Sequence, residues 1–179
     1  MSFSPLPDAA IDTAEKHLRD ILTLAFEHDS TYAALVVWDG QCALSVALAA
    51  AYRRCLPEAT FLDFDAVAPE TIRATFERLA PSDLVVLIQT SSFRLDAFRL
   101  RVELFKRALK VIEHPHLGRM PGAEALLYID ALAYDPAYLR GTGNALKSHI
   151  DSAPTGVLDS GGEHLIFAAG FEPAKLNIG

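Results

Sequence analysis

The densest group of residues able to do chemistry is Glu113-His114-Pro115-His116. On an extended chain alternate side chains share a face, so His114 and His116 could aim two imidazoles at one divalent ion, with a carboxylate as third ligand. No third ligand stands at a defined spacing, and a strand end whose histidines hydrogen-bond to backbone or water explains the same residues better. Three other polar groups matter: Asp39-Gly40-Gln41, the pair Asp63 and Asp65, and Gln89-Thr90-Ser91-Ser92. From these, Asp39, Gln89, Ser91, Glu113, His114 and His116 are the candidates for holding a small polar ligand, although exposed loop ends are polar in any case. Ser91 and Ser92 would be nucleophiles beside a histidine, but no G-x-S-x-G elbow surrounds them, and they suit helix N-caps. Gly141-Thr142-Gly143-Asn144 lacks the third glycine and the lysine of a phosphate-binding loop, and reads as close helix packing or a helix break. No complete catalytic constellation and no metal ligand set follow from spacing alone.

Elements must place these groups. Ile11, Ala14, Leu18, Ile21 and Ala25 recur at helical steps, with Asp8 as the expected N-cap. Ala33 to Trp38 is a short continuous apolar run that suits a strand covered on both faces. Cys42 to Arg54 predicts a helix, Thr60 to Phe64 a strand, Pro69 the first turn of a helix, and Leu84 to Ile88 a second buried strand. Leu95, Phe98, Val102, Phe105, Leu109 and Ile112 carry the clearest helical period, and the aromatic stripe of Phe93, Phe98 and Phe105 at this spacing belongs to a core rather than to a cofactor platform. Pro115 argues against helix at Val111 to His114, which predicts a fourth strand there.

Ala123 to Ala133 predicts a helix, and Asp135-Pro136 caps another that runs towards Ile150 with interruptions at Gly141 and Gly143. Thr155 to Asp159 and His164 to Ala168 flank Ser160-Gly161-Gly162 as strands flank a hairpin turn, and Ala174 to Ile178 is a candidate third strand. Alternating strands and helices followed by an antiparallel tail predict an α/β fold. It is Rossmann-like and doubly wound, with a mainly parallel sheet, helices on both faces and a C-terminal antiparallel hairpin. The expected boundaries are 1–154 for the α/β domain and 155–179 for a β extension packed on it. In such sheets ligands sit beyond the carboxyl ends of the strands, which is where the polar loops fall.

Composition narrows the function classes. The chain has 179 residues, 51% of them hydrophobic, enough for a core of its own. A formal charge of -7 repels a phosphate backbone or an anionic bilayer, so nucleic acid and membrane are excluded as expected partners. Cys42 and Cys55 have no CxxC spacing and predict neither a disulfide framework nor a zinc cluster. The start of the sequence lacks a basic region followed by an apolar stretch, and the expected location is cytoplasmic.

The order of motifs adds a family resemblance. The long helix, Glu113-His114-Pro115-His116-Leu117, Tyr128 to Asp135, Gly143-Asn144-Ala145-Leu146-Lys147, the stretch Gly162 to Phe167 and Phe171 to Gly179 together resemble the N-terminal region of the thermophilic-type metalloaminopeptidases, the aminopeptidase S and aminopeptidase T group. The likeness covers most of the chain at the level of pattern. It implies a Rossmann-like α/β domain that closes a substrate cavity and contributes to assembly. In that family the two-metal site lies in a second domain, so the resemblance places no metal ligand on this chain, implies no cofactor within it, and reserves a divalent metal for a longer relative. The expected function is the N-terminal domain of an aminopeptidase-like metalloenzyme, not catalytically competent alone. A stand-alone module for small-ligand binding or oligomerisation is the alternative, and a domain of a related ring-cleaving dioxygenase the second alternative. Expected partners are a small molecule or peptide and a second copy of the chain, since strand edges in the tail invite pairing.

Overall fold

A computed structural model describes residues 3–93, 104, 106–167 and 172–176, which group into two compact units, Met1–Ala133 and Tyr134–Gly179.

The first unit begins with α1 (Asp8–Asp20), whose buried stripe is Ala10, Ala14 and Leu18, while the Ile11 that the spacing predicts in that stripe is only half-buried. Its N-cap is Pro7 and not Asp8. The Pro7 carbonyl accepts from Ala10 N at 2.9 Å, which leaves Asp8 inside the first turn, where its charge opposes the positive end of the helix dipole. A π-helical turn, Ile21–Ala25, continues it. Next come β1 (Ala34–Trp38), α2 (Ala43–Cys55), β2 (Thr60–Asp63), α3 (Pro69–Glu77), β3 (Leu84–Ile88), β4 (Lys110–His114) and α4 (Ala123–Asp130). Pro69 occupies the first turn of α3, where its missing N–H costs nothing.

The four strands form one parallel sheet in the order β2-β1-β3-β4. Alternate residues of the central strands enter opposite cores. Val36, Val86 and Ile88 pack with Leu18, Leu48 and Tyr52, whereas Leu35, Val37, Val85 and Leu87 pack with Ile72 and Phe76. Burial on both faces is why β1 and β3 read as continuous apolar runs without alternation. Each fully buried aliphatic side chain contributes roughly 1.5–3 kcal/mol of transfer free energy, so the core, more than local propensity, fixes this layering. The register sets Asp63 beside Trp38, Trp38 beside Ile88 and Ile88 beside His114, so all four strands end level.

Leu95, Phe98, Val102 and Phe105 of the expected long helix lie outside the described residues. Leu104 and Lys106 are helical, and Leu104 is fully buried. Leu109 and Ile112 continue the helical spacing but leave the helix. Ala108 adopts φ 56, and the chain from Lys110 pairs with β3, which confirms strand at Val111 to His114.

In the second unit α5 (Pro136–Ser152) starts as predicted, with the Asp135 carboxylate accepting from Tyr138 N at 3.0 Å. The expected interruption at Gly141 and Gly143 does not occur. One glycine in a helix interior costs about 1 kcal/mol, too little to break a helix with a sound cap. β5 (Gly156–Ser160) and β6 (Glu163–Phe167) form an antiparallel hairpin, with Ser160 opposite Glu163 and positive φ at Gly161 and Gly162, a backbone that suits glycine. Ala174 to Leu176 forms no strand, and Asn177 and Ile178 lie outside the described residues. Ala174 is instead held by α5: its N donates to Asp151 at 2.7 Å and its carbonyl accepts from Lys147 Nζ at 2.7 Å. Among the described residues no helix is long and apolar enough to cross a membrane.

Candidate functional site at the strand ends

β1 and β3 are sheet neighbours but not consecutive strands. The chain leaves β1 towards β2 on one side and β3 towards β4 on the other, so the strand order reverses between β1 and β3, the kind of switch point at which open α/β sheets place ligands. The candidates Asp39 and Gln89 directly follow β1 and β3.

Asp39 is 2% exposed and joins the loops after β1 and β3. Its Oδ2 accepts from Thr90 N at 2.7 Å, and its Oδ1 accepts from the Thr90 hydroxyl and from Gln41 N at 3.2 Å. Its carbonyl accepts from the Ser45 hydroxyl, which ties the same loop to the first turn of α2. Cys42, the N-cap of α2, accepts from Ser45 N at 3.4 Å through Sγ, which also lies 3.3 Å from the Thr90 hydroxyl. A buried carboxylate with three hydrogen-bond donors around it is an anchor between two loops rather than a ligand waiting for a metal.

Gln89 is likewise structural. Its Oε1 accepts from Phe93 N at 2.8 Å, its backbone N donates to His114 O at 3.0 Å, and its carbonyl accepts from Leu117 N at 3.0 Å. Thr90 O then accepts from Gly118 N at 3.1 Å, drawing the loop after β4 against the loop after β3. Gly118 is required by this approach, since a Cβ there would lie 2.8 Å from Thr90 Cγ2.

The outer rim is more accessible. Ser91, Ser92, Gln41 and Asp65 are exposed. Gln41 Nε2 donates to both oxygens of Asp65, at 3.0 and 2.9 Å, bridging the loops after β1 and β2. Ser92 Oγ lies 3.4 Å from His116 Nε2, a long contact that sets a hydroxyl beside an imidazole. The expected role of Ser91 and Ser92 as caps of the long helix falls at the edge of the described residues.

His114 and His116 do not share a ligand position. Pro115 ends the strand and His116 adopts φ 58, a left-handed backbone, so the extended geometry that would align the two imidazoles stops at His114. His114 is 2% exposed and both ring nitrogens are taken, with Nε2 2.9 Å from Tyr52 Oη and Nδ1 2.8 Å from Tyr128 Oη. Burial pushes its pKa down to about 4, so the ring is neutral and donates to one tyrosine while accepting from the other. Burial raises Tyr128 to about 12 and Tyr52 well above its usual value, which keeps both phenols protonated. Glu113, the neighbour of His114 in β4, is half-buried opposite Leu87 of β3. Among the described residues no group of three or more His, Cys, Asp and Glu side chains could hold a metal ion.

Sequence reasoning missed Tyr52, Thr90, Gly118 and Tyr128. A signal existed for Tyr52, a lone phenol in an alanine- and leucine-rich helix, because a buried tyrosine hydroxyl requires a partner. Tyr128 and Gly118 carry no comparable local mark. The inner groups brace the sheet, while Gln41 with Asp65 and Ser92 with His116 remain on the exposed surface of these loops. No family model, no curated protein and no solved structure matches this chain.

Proposed function

We propose that the chain is the α/β scaffold of an aminopeptidase-like metalloenzyme, cytoplasmic, serving to shape a substrate cavity and an assembly interface while the hydrolytic centre is supplied elsewhere. The resemblance in motif order supports the first part. The observation that carries the assembly role is the hairpin. Apart from Gly156 every residue of β5 and β6 is exposed, including Val157 and Ile166, paired on one face, and Leu158 and Leu165, paired on the other. A two-stranded hairpin is marginal in water, and exposed apolar residues on both faces call for a cover.

The partner proposed is a second copy, which pairs with the free backbone edge of β6. Antiparallel pairing of β6 with its counterpart, with Glu163 opposite the partner's Ile166 and His164 opposite the partner's Leu165, extends the hairpin to four strands. It also keeps the two acidic turn ends, each carrying Asp159 and Glu163, apart. Sedimentation equilibrium tests it: a dimer is expected at tens of micromolar, and Leu165→Lys shifts it towards monomer. A monomer at all accessible concentrations overturns the assembly role. Turnover of an aminoacyl 4-nitroanilide by the purified chain supplied with zinc, cobalt or manganese overturns the scaffold reading.

A further inference from the structure

At the opposite end of the sheet, where β1 and β2 begin, the described residues line an open cavity of about 460 Å³. It lies between α1 with its π-helical continuation, the loop that leads into β1 and the segment that leaves α2. The volume falls within the range of small-molecule sites, roughly 300–1,000 Å³. From its lining we infer that this cavity binds a small organic cation, an ammonium group carried on an apolar body.

The apolar part of the ligand is specified by Leu22, Ala34 and Leu56, with Pro57 and Ala59 beside them. Its charge is specified by what the walls leave uncompensated. Glu58 is exposed at the cavity and makes no hydrogen bond or ion pair among the described residues. Asp29 bonds Thr31 through Oδ1 alone.

Of the positive groups, Arg19 is ion-paired with Glu15, and Lys110 keeps its charge but stands outside the lining. Arg19 donates through Nη2 to Glu15 at 2.6 Å and to the Arg54 carbonyl at 3.1 Å. Burial, with the charge of Lys110, lowers the pKa of His28 and so favours its neutral form. Lys110, near this region but outside the lining, donates to the carbonyls of Phe26 and Glu27. Cys55, whose thiol burial raises to about 11, is protonated and offers no nucleophile, so binding is non-covalent. The balance of the lining therefore favours a cation over an anion of the same shape. The site lies within the first unit and does not depend on the assembly role.

Three probes with one body and different heads test this by NMR titration of the ¹⁵N-labelled protein: phenethylammonium, phenethyl alcohol and 3-phenylpropionate. Saturable shifts at the amides of Ala33, Cys55 and Ala59 are expected with the ammonium at concentrations up to about 10 mM, with affinity about tenfold above that of the carboxylate. Glu58→Gln, a surface change that leaves the core intact, is expected to weaken the ammonium about threefold, as for an exposed ion pair. Ala59→Phe, which fills the cavity, is expected to remove binding of all three probes. Absence of saturable shifts with phenethylammonium, equal affinity for the carboxylate, or an unchanged affinity in Glu58→Gln each overturns the proposal.

Discussion

His114 Nδ1 lies 2.8 Å from Tyr128 Oη, and this contact joins the last residue of β4 to α4 through a ring that has no access to water. With Tyr52 on the other nitrogen, the imidazole links two helices to the sheet, and burial keeps it neutral.

The pH dependence of stability follows from that neutrality. Folded His114 titrates at about 4, below the ~6.5 of an unfolded chain. Between those values the unfolded state binds more protons, so stability rises with pH across the window. The contribution is fully present above ~6.5, declines as pH falls, and levels off below about 4, for a total of about 3 kcal/mol at ~1.36 kcal/mol per unit. Urea unfolding at pH 7 and pH 4.5 checks it. His114→Gln, which does not titrate, is expected to flatten this part of the profile, and a wild-type profile as flat as the variant's would refute it.

Removing one phenol hydroxyl leaves a buried imidazole nitrogen unpaired. Tyr52→Phe and Tyr128→Phe are each expected to cost about 1–3 kcal/mol, with the larger effect at Tyr52, which is more deeply buried. Thermal unfolding at neutral pH reads this directly. Loss below about 0.5 kcal/mol in both variants would mean that the contacts do not hold the helices.

Asp39→Asn places an amide where Thr90 N and the Thr90 hydroxyl both donate. The variant can accept through one oxygen only and faces a donor with its NH₂ group, so a loss of about 1–3 kcal/mol is expected. Faster amide exchange at Thr90 and Gln41 should accompany it. Unchanged exchange at both amides would show that the loops are held by other contacts.

Gly118→Ala is expected to destabilise by about 1–3 kcal/mol, because the added methyl meets Thr90 Cγ2 and, at 3.1 Å, Thr90 O. Thr90→Ser removes the methyl that is struck while keeping the hydroxyl, so the double variant should recover part of the loss measured against Thr90→Ser alone. Strict additivity of the two changes would contradict the clash.

The layering of the first unit was legible because burial leaves a direct trace in the residue pattern. Leu84 to Ile88 has no polar residue because both faces of β3 are covered, and Pro115 marked the end of β4 through its effect on the residue before it. The N-cap of α1 and the continuity of α5 across Gly141 and Gly143 were misjudged because each turns on a balance of about 1 kcal/mol between local alternatives. The candidate site was legible as a set of loops but not as roles. Asp39, Gln89 and His114 looked available for a ligand, and their partners Thr90, Phe93, Tyr52 and Tyr128 are the reason they are not.

By itself, then, the amino-acid order determined the α/β class, the parallel sheet and the loops that converge at its carboxyl edge, since hydrophobic periodicity and turn residues act over short separations. Only the tertiary structure decided that His114 faces two tyrosines while His116 turns away to Ser92, and that a cavity opens at the opposite end of the sheet. Those outcomes depend on side chains brought together across long separations, Tyr52 with His114 or Leu22 with Ala59, and no local pattern encodes which distant group will satisfy a buried polar atom.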